Sequence, residues 1–204
     1  MIKAVLFDFD GVLVNTYEAS FQRHAQKYAN MDRETHKKLF EGNVLETRQK
    51  LVTKDAALDM DALCRVHLLA HTLEKNIIDV LSCMKAHYQL FVVTTNRASF
   101  IHEFLEKEHA PLLFIEILGS EMHEKKDVKF HYVMDKYHLT NQEIVFVTDT
   151  LGDIREANAL DIRTIAVTYG FHERERLEKG NPFAIVSLFE DIPALLKRMD
   201  QDIF

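Results

Sequence analysis

Apolar residues change their spacing from segment to segment along the chain. Short runs that are almost wholly apolar stand at Ala4-Val5-Leu6-Phe7, Leu90-Phe91-Val92-Val93, Ile144-Val145-Phe146-Val147, Thr164-Ile165-Ala166-Val167 and Ala184-Ile185-Val186, with 112–118 a further candidate. Runs that are apolar at successive rather than alternate positions predict strands buried on both faces. Between them the spacing turns helical. Phe100, Phe104 and Leu105 share one face, as do Phe130, Val133, Met134 and Tyr137, and 192–196 opens a last helix behind Asp191. Strands alternating with helices over 86–204 predict right-handed βα units and a parallel sheet.

The segment 15–80 contains no strand-like run. Tyr17, Phe21, Ala25 and Tyr28 fall on one helical face, and so do Ala62, Leu63, Val66, Leu69, Ala70 and Leu73. This spacing predicts about four amphipathic helices directly after the first strand. That is too much chain for a simple crossover. The expected architecture is therefore an α/β protein: a Rossmann-like parallel-sheet core from 1–14 and 81–204, with a small α-helical domain inserted at 15–80.

Composition narrows the class. With 47% hydrophobic and 28% charged residues the 204-residue chain is a folded globular protein, not a disordered one. A net charge of −7 without a basic block argues against nucleic acid or an anionic membrane surface as partner. The longest stretch free of Asp, Glu, Lys and Arg is 86–96, well short of the roughly 18 residues a spanning helix needs. The opening MIKAVLFDFDG offers no small-residue cleavage site, so no signal peptide is expected. Cys64 and Cys83 form no CxxC and fall in helical patterns, which predicts reduced, buried thiols and a cytoplasmic protein.

The strongest chemical signal is Phe7-Asp8-Phe9-Asp10-Gly11 at the end of the first strand. Two acids there repel and are costly to desolvate, a cost that a divalent cation would offset. Alone, the pair could equally mark a strand meeting solvent. A second pair, Asp149 and Asp153, follows the strand at 144–147, so four carboxylates are expected to converge at strand carboxyl ends, where ligands gather in open parallel sheets. Taken singly, Asp153 reads as a helix cap and Thr94-Thr95-Asn96 as another, while Lys125 and Lys126 read as a solvated pair. Their conjunction describes a phosphate site. His67 and His71 lie four apart but have no third ligand in register, and the run 172–178 reads as a solvated helix face.

The motifs Asp8-x-Asp10-Gly11, Thr95-Asn96, Lys126 or Lys125, and Asp149-x-x-x-Asp153 resemble, in order, those of the haloacid dehalogenase-like hydrolase superfamily, specifically its C1-capped phosphatase branch. The resemblance spans nearly the whole chain. It implies that 15–80 is a helical cap that selects substrates. It also implies a Mg²⁺-dependent phosphatase that acts on a small phosphorylated metabolite through an aspartyl-phosphate. In that scheme Asp8 is the nucleophile and Asp10 the acid and base. Thr95, with backbone groups at Phe9, Asp10, Gly11 and Asn96, binds the phosphoryl group. Lys126 or Lys125 neutralises charge, and Asp8, Asp10 (through its carbonyl), Asp149 and Asp153 serve Mg²⁺. Asp10 favours phosphate esters over the dehalogenase and phosphonate reactions of relatives that lack an acid there. Ser20, where the β-phosphoglucomutase branch carries a histidine, counts against that mutase. The alternatives are another phosphomutase or a non-catalytic, receiver-like phosphate-binding protein. Neither substrate nor oligomeric state is specified by any motif.

Overall fold

The computed structural model describes residues 1–123 and 125–201. Six parallel strands form one sheet: β1 (Ala4–Phe7), β2 (Gln89–Val93), β3 (Glu116–Leu118), β4 (Ile144–Thr148), β5 (Arg163–Val167) and β6 (Ala184–Val186), in the order β3-β2-β1-β4-β5-β6. The continuous apolar runs have the expected consequence. Val5, Phe7, Val92, Val145 and Val147 point into one core, and Ala4, Leu6, Phe91, Val93 and Phe146 into the other. The first core is covered by α5 (Lys75–Lys85), α6 (Ala98–Lys107) and α10 (Ile192–Gln201). The second is covered by α7 (Lys126–Tyr137) and α8 (Leu151–Asn158). Burying Phe7 or Phe146 completely contributes about 1.5–3 kcal/mol each, so strand register is strongly held. A short helix, α9 (Arg174–Leu177), lies between β5 and β6.

The chain winds outward from β1 through β2 to β3, then returns to β4 on the other side of β1. At such a switch point the flanking loops part and leave a crevice at the carboxyl ends of the strands. Between β1 and α5 stand α1 (Tyr17–Lys27), α2 (Arg33–Lys38), α3 (Val44–Arg48) and α4 (Met60–Leu69). Asp32 and Asp59 start α2 and α4 by accepting the N–H of Thr35 (2.7 Å) and Ala62 (3.0 Å). Helix α5 crosses position 80, and its Ile77, Leu81 and Met84 join the core that holds Val5 and Phe7.

Several local expectations fail, each for a tertiary reason. The buried residues of α1 are Ser20, Arg23 and His24, while Tyr17, Phe21, Ala25 and Tyr28 are half-buried. On α4 the buried side chains are Cys64 and Leu68, and Val66 is exposed. Cys83 is exposed rather than buried, because it lies on the outer side of α5. Only Glu116–Leu118 of the 112–118 candidate is strand, and Leu112 is exposed. The run 172–178 is not a solvated face. His172 and Arg176 are buried because α2 lies over them, with Arg176 paired to Glu34 at 2.8 Å and to Glu173 at 3.1 Å. No helix among the described residues is long and apolar enough to cross a membrane.

Candidate active site

Asp8 continues β1 by one residue, its N–H bonded to the Val147 carbonyl of β4 (2.9 Å). The chain then turns sharply. The Phe9 carbonyl accepts from Leu13 and Val14, and Gly11 takes a φ of +76°. Only glycine serves at position 11, since a Cβ there would sit 1.9 Å from Asp149 Oδ2. The turn thus presses the end of β1 against the end of β4.

Lys126, at the start of α7, lies between two of the predicted acids. Its Nζ is 2.7 Å from both Asp8 Oδ2 and Asp153 Oδ2, with all three side chains nearly enclosed. The ammonium also rests over the Phe146 ring, 5.1 Å from its centroid. Burial would push Lys126 down, yet Asp153 and Asp8 outweigh it and hold this ammonium above the ordinary lysine range. Asp8 Oδ1 accepts the Phe9 N–H (2.7 Å), and Thr148 Oγ1 donates to Asp153 Oδ2 (2.8 Å). Burial drives the Asp8 carboxyl well up, only partly offset by Lys126, while Lys126 and hydrogen bonds keep Asp153 low against the same burial. Lys125 points elsewhere, with Nζ 3.8 Å from Glu46 at the surface.

Asp149 is fully buried. Its Oδ2 accepts the Phe171 N–H at 2.7 Å, and its Oδ1 has no partner among the described residues. Burial pushes this carboxyl up to about 8. Two enclosed carboxylates, Asp8 and Asp153, thus share one ammonium, and the third, Asp149, keeps one oxygen unsatisfied. This donor set fits a hard divalent cation, which needs only one or two carboxylates besides carbonyl oxygen and water. The four predicted acids do not form one ligand group, and no three His, Cys, Asp or Glu side chains among the described residues are grouped to hold an ion. Lys126 bridges Asp8 and Asp153. The Asp10 carboxyl turns away, accepting from Thr16 Oγ1 and Asn96 Nδ2, both at 2.5 Å.

Thr95 and Asn96 follow β2 and reach the same cavity. The Thr95 hydroxyl has no partner among the described residues, whereas the Asn96 amide oxygen accepts from Cys64 Sγ of α4 (2.9 Å). The fully buried Lys129 donates to the Thr94 carbonyl (2.6 Å) and so steadies this turn. Burial pushes its ammonium down to about 8.

The helical insertion closes over these residues. The Phe40 carbonyl accepts the Gly152 N–H at the start of α8 (2.8 Å), and a Cβ at Gly152 would lie 2.5 Å from the Gly42 carbonyl oxygen. Asn43 donates to Glu156 (3.2 Å). Buried His172 bridges the two parts, with Nδ1 accepting from Leu151 N–H and Nε2 facing the Lys37 carbonyl, both at 2.9 Å. These two bonds fix the neutral tautomer with its proton on Nε2. The cavity between insertion and core, partly open to solvent, has a volume of about 60 Å³. Its wall contains Asp8, Asp10 and Lys126 from the core and Ser20, Arg23 and Arg48 from the insertion.

Sequence reasoning did not single out Arg23, Arg48, Glu156 or Lys129. The one available signal was the polar stripe Ser20, Arg23 and His24, spaced three and four apart on α1.

The sequence matches the family description "haloacid dehalogenase-like hydrolase" over residues 5–167. It is 27% identical to a phosphoglycolate phosphatase of Aliivibrio fischeri over 96% of each chain. A haloacid dehalogenase-like hydrolase from Streptococcus pneumoniae shares the fold with a TM-score of 0.78 and 21% identity, covering 96% of this chain and 98% of that one. A predicted phosphoglycolate phosphatase from Haemophilus somnus does so with a TM-score of 0.72 and 23% identity, again over 96% and 98%. With the family match covering most of its length and the fold shared over nearly all of it, the chain is an enzyme and belongs to the haloacid dehalogenase-like hydrolase family.

Proposed function

We propose that this phosphatase hydrolyses a small phosphorylated metabolite, such as phosphoglycolate, in two steps through a phosphate ester of Asp8. The observation that carries the reading is the Asp8–Lys126–Asp153 bridge, which sets a lysine-paired carboxylate from a strand end on the wall of a small cavity. An Asp8 oxygen attacks phosphorus and forms the O–P bond while the ester oxygen departs with a proton from Asp10. The Asp10 carboxylate then accepts a proton from water, whose oxygen attacks phosphorus, breaks the Asp8–phosphoryl bond and releases inorganic phosphate. Thr16 and Asn96 hold the Asp10 carboxyl in place for both transfers. The free Thr95 hydroxyl donates to the phosphoryl oxygens, and Lys126 disperses their charge.

Asp8 and Asp149, with the Asp10 carbonyl, would hold Mg²⁺, while Asp153 keeps Lys126 in position. When bound, the ion neutralises phosphoryl charge as the transfer proceeds. Residues 15–80 act as the cap. A cavity of about 60 Å³ accepts only a handful of water-sized groups, at about 10–15 Å³ for each. A short leaving group fits this limit, and closure keeps bulk water from the transfer. Ser20 reaches the cavity but is bound to His36 Nε2 (3.1 Å), an imidazole that burial pushes down to about 3 and so keeps neutral. His36 itself is not on the cavity wall, which argues against a mutase-type histidine at the reacting atoms.

The test is phosphate release from p-nitrophenyl phosphate and a panel of phosphorylated metabolites and phosphopeptides. EDTA should abolish it and Mg²⁺ restore it, with small metabolites giving the highest kcat/KM. Full activity in metal-free protein, or phosphopeptides as the best substrates, would overturn the reading.

A further inference from the structure

The insertion reaches one group of the reacting site through a thiol. Cys64 lies on α4, one turn before Leu68, and both side chains are buried. Leu68 packs into the core that holds Val5 and Phe7, whereas Cys64 joins none of the apolar clusters among the described residues. Its Sγ instead donates to the Asn96 amide oxygen at 2.9 Å. Burial pushes the thiol up to about 11, so it keeps the proton that this bond needs. Cys83 makes the contrast, being exposed on α5.

Asn96 passes the contact on. Its Nδ2 donates to Asp10 Oδ2 (2.5 Å), while Thr16 Oγ1 donates to the other carboxyl oxygen, Oδ1 (2.5 Å). The Asn96 backbone is held separately, by its N–H to Thr94 Oγ1 (3.1 Å) and by the Ser120 N–H to its carbonyl (2.8 Å). The freedom left at this residue is rotation of the amide, whose two ends are alike in shape and opposite in hydrogen bonding. That choice of end bears on the proton that Asp10 carries. With the nitrogen end towards Asp10 the amide only donates, and the carboxylic proton is free for the ester oxygen. With the oxygen end there, the amide accepts that proton and holds it back. The thiol decides between the two, because it donates to the oxygen end and is a weak acceptor for the nitrogen end.

Helix α4 is fixed where the thiol needs to be. Asp61, one turn before Cys64, accepts from Arg97 Nε at 2.7 Å, and Arg97 directly follows Asn96. Arg65, directly after Cys64, donates from its Nε to Glu103 of α6 at 2.6 Å. These pairs seat α4 on the segment that follows β2, with Cys64 between them in sequence. The thiol contact is thus made by the insertion lying over the core.

We infer that Cys64 is a positioning residue of the insertion, acting through the Asn96 amide to keep Asp10 free to protonate the leaving group. This assignment rests on the phosphatase reading above and deepens it. The insertion then does more than cover the cavity, since proton delivery is set correctly only with α4 in place.

Leaving groups supply the test, because a more basic departing oxygen depends more on the Asp10 proton. p-Nitrophenyl, phenyl and benzyl phosphate have similar shapes and increasingly basic leaving oxygens. Their kcat/KM values are compared in Mg²⁺ for the wild type, Cys64→Ser, Cys64→Ala and Cys64→Val, where Ser keeps a donor and Val fills the space without one. Cys64→Ala and Cys64→Val should lose about five- to tenfold on benzyl phosphate and less than about twofold on p-nitrophenyl phosphate, with phenyl phosphate between. Cys64→Ser should stay within about twofold of wild type on all three. In an Asn96→Ala background, Cys64→Ala should add no selective loss. Equal losses on all three esters would overturn the inference and mark Cys64 as packing only. So would a Cys64→Val variant that matches wild type on benzyl phosphate, or a selective loss that persists in the Asn96→Ala background. A readout without turnover stands beside these. The chain has two cysteines, so Cys83→Ala leaves Cys64 as its one thiol. The infrared S–H stretch should lie below that of an unbonded thiol and rise when Asn96→Ala is added, and an unshifted band would overturn the inference. A shifted band in a protein that hydrolyses no ester would instead sink the phosphatase reading, and with it the role at Asp10, while the thiol contact stands.

Discussion

The sheet side and the helical side of the cavity handle charge in opposite ways. On the sheet side Lys126 holds Asp8 and Asp153, and Glu156 takes donors from Asn43 and Lys126, so most charged groups are engaged at rest. On the helical side neither Arg23 nor Arg48 has an ion pair or side-chain hydrogen bond among the described residues, and the Arg48 Nε is buried without a partner. Groups that must keep one geometry through a reaction are tied to each other, which limits reorganisation when charge moves. The difference separates a tied, reacting wall from an untied wall within one small cavity.

The comparison is broken most directly at Asp8. Asp8→Asn should lower kcat by at least about 10⁴-fold, since an amide is a poor nucleophile. Its unfolding free energy should stay within about 1 kcal/mol of wild type, because the shape is kept and Asp153 still pairs with Lys126. Single-turnover phosphate release together with urea unfolding measures both. Near-normal turnover, with no deamidation back to Asp, would remove Asp8 from the reacting wall.

Lys126→Met tests whether that wall is held together from within. It strands two buried carboxylates at the end of the sheet and should cost about 3–5 kcal/mol in urea unfolding. The kcat should fall by about 10²–10³-fold through loss of charge stabilisation. A stability loss that is absent at pH 7.5 would mean that the bridge is not formed in solution.

The helical side should respond to acid. The folded-state His36 pKa of about 3 lies below its unfolded value of about 6.5, so its stabilisation is complete above about 6.5 and lost as pH falls toward 3. Burial lowers His24 and His172 as well, and they act in the same direction. Between pH 6.5 and 5.5 the His36 contribution alone should drop by up to about 1.4 kcal/mol. Urea unfolding at pH 7.5 and 5.5 should therefore show a larger acid loss for wild type than for His36→Gln, and equal losses would remove His36 as the cause.

The smallest effect is expected at Lys125. Its partner Glu46 is 3.8 Å away and both side chains are exposed, so Lys125→Ala should change stability by less than about 0.5 kcal/mol. The kcat should stay within about twofold of wild type. A loss comparable to that of Lys126→Met would reverse the roles of the two lysines.

The strands and the reacting wall were legible because both are local in sequence. Ala4 to Phe7 reads as a strand from composition alone, and Asp8 and Asp10 follow within three residues. The same holds for β4 with Asp149 and Asp153. The choice between Lys125 and Lys126 was not legible: Lys125 is the extended residue before α7 and Lys126 its first helical residue, and where α7 begins relative to β1 decides which one meets Asp8. The untied wall was less visible still. Arg23 and Arg48 lie on different helices with no shared motif, and an arginine on an amphipathic helix ordinarily faces water.

What the sequence determined by itself is the alternation of buried strands and helices, the place of the insertion, and the acids at the strand ends. Those features follow from backbone periodicity and from the cost of putting charge beside an apolar run. What only the tertiary structure decided is where the insertion lands. The contact of Phe40 and Gly42 with the start of α8 turns the polar stripe of α1 inward, brings Arg23 and Arg48 to one cavity, and buries His172 and Arg176 under α2. The physical reason is distance along the chain. Local patterns select a helix and its face, but the partner that covers that face comes from residues more than a hundred positions away.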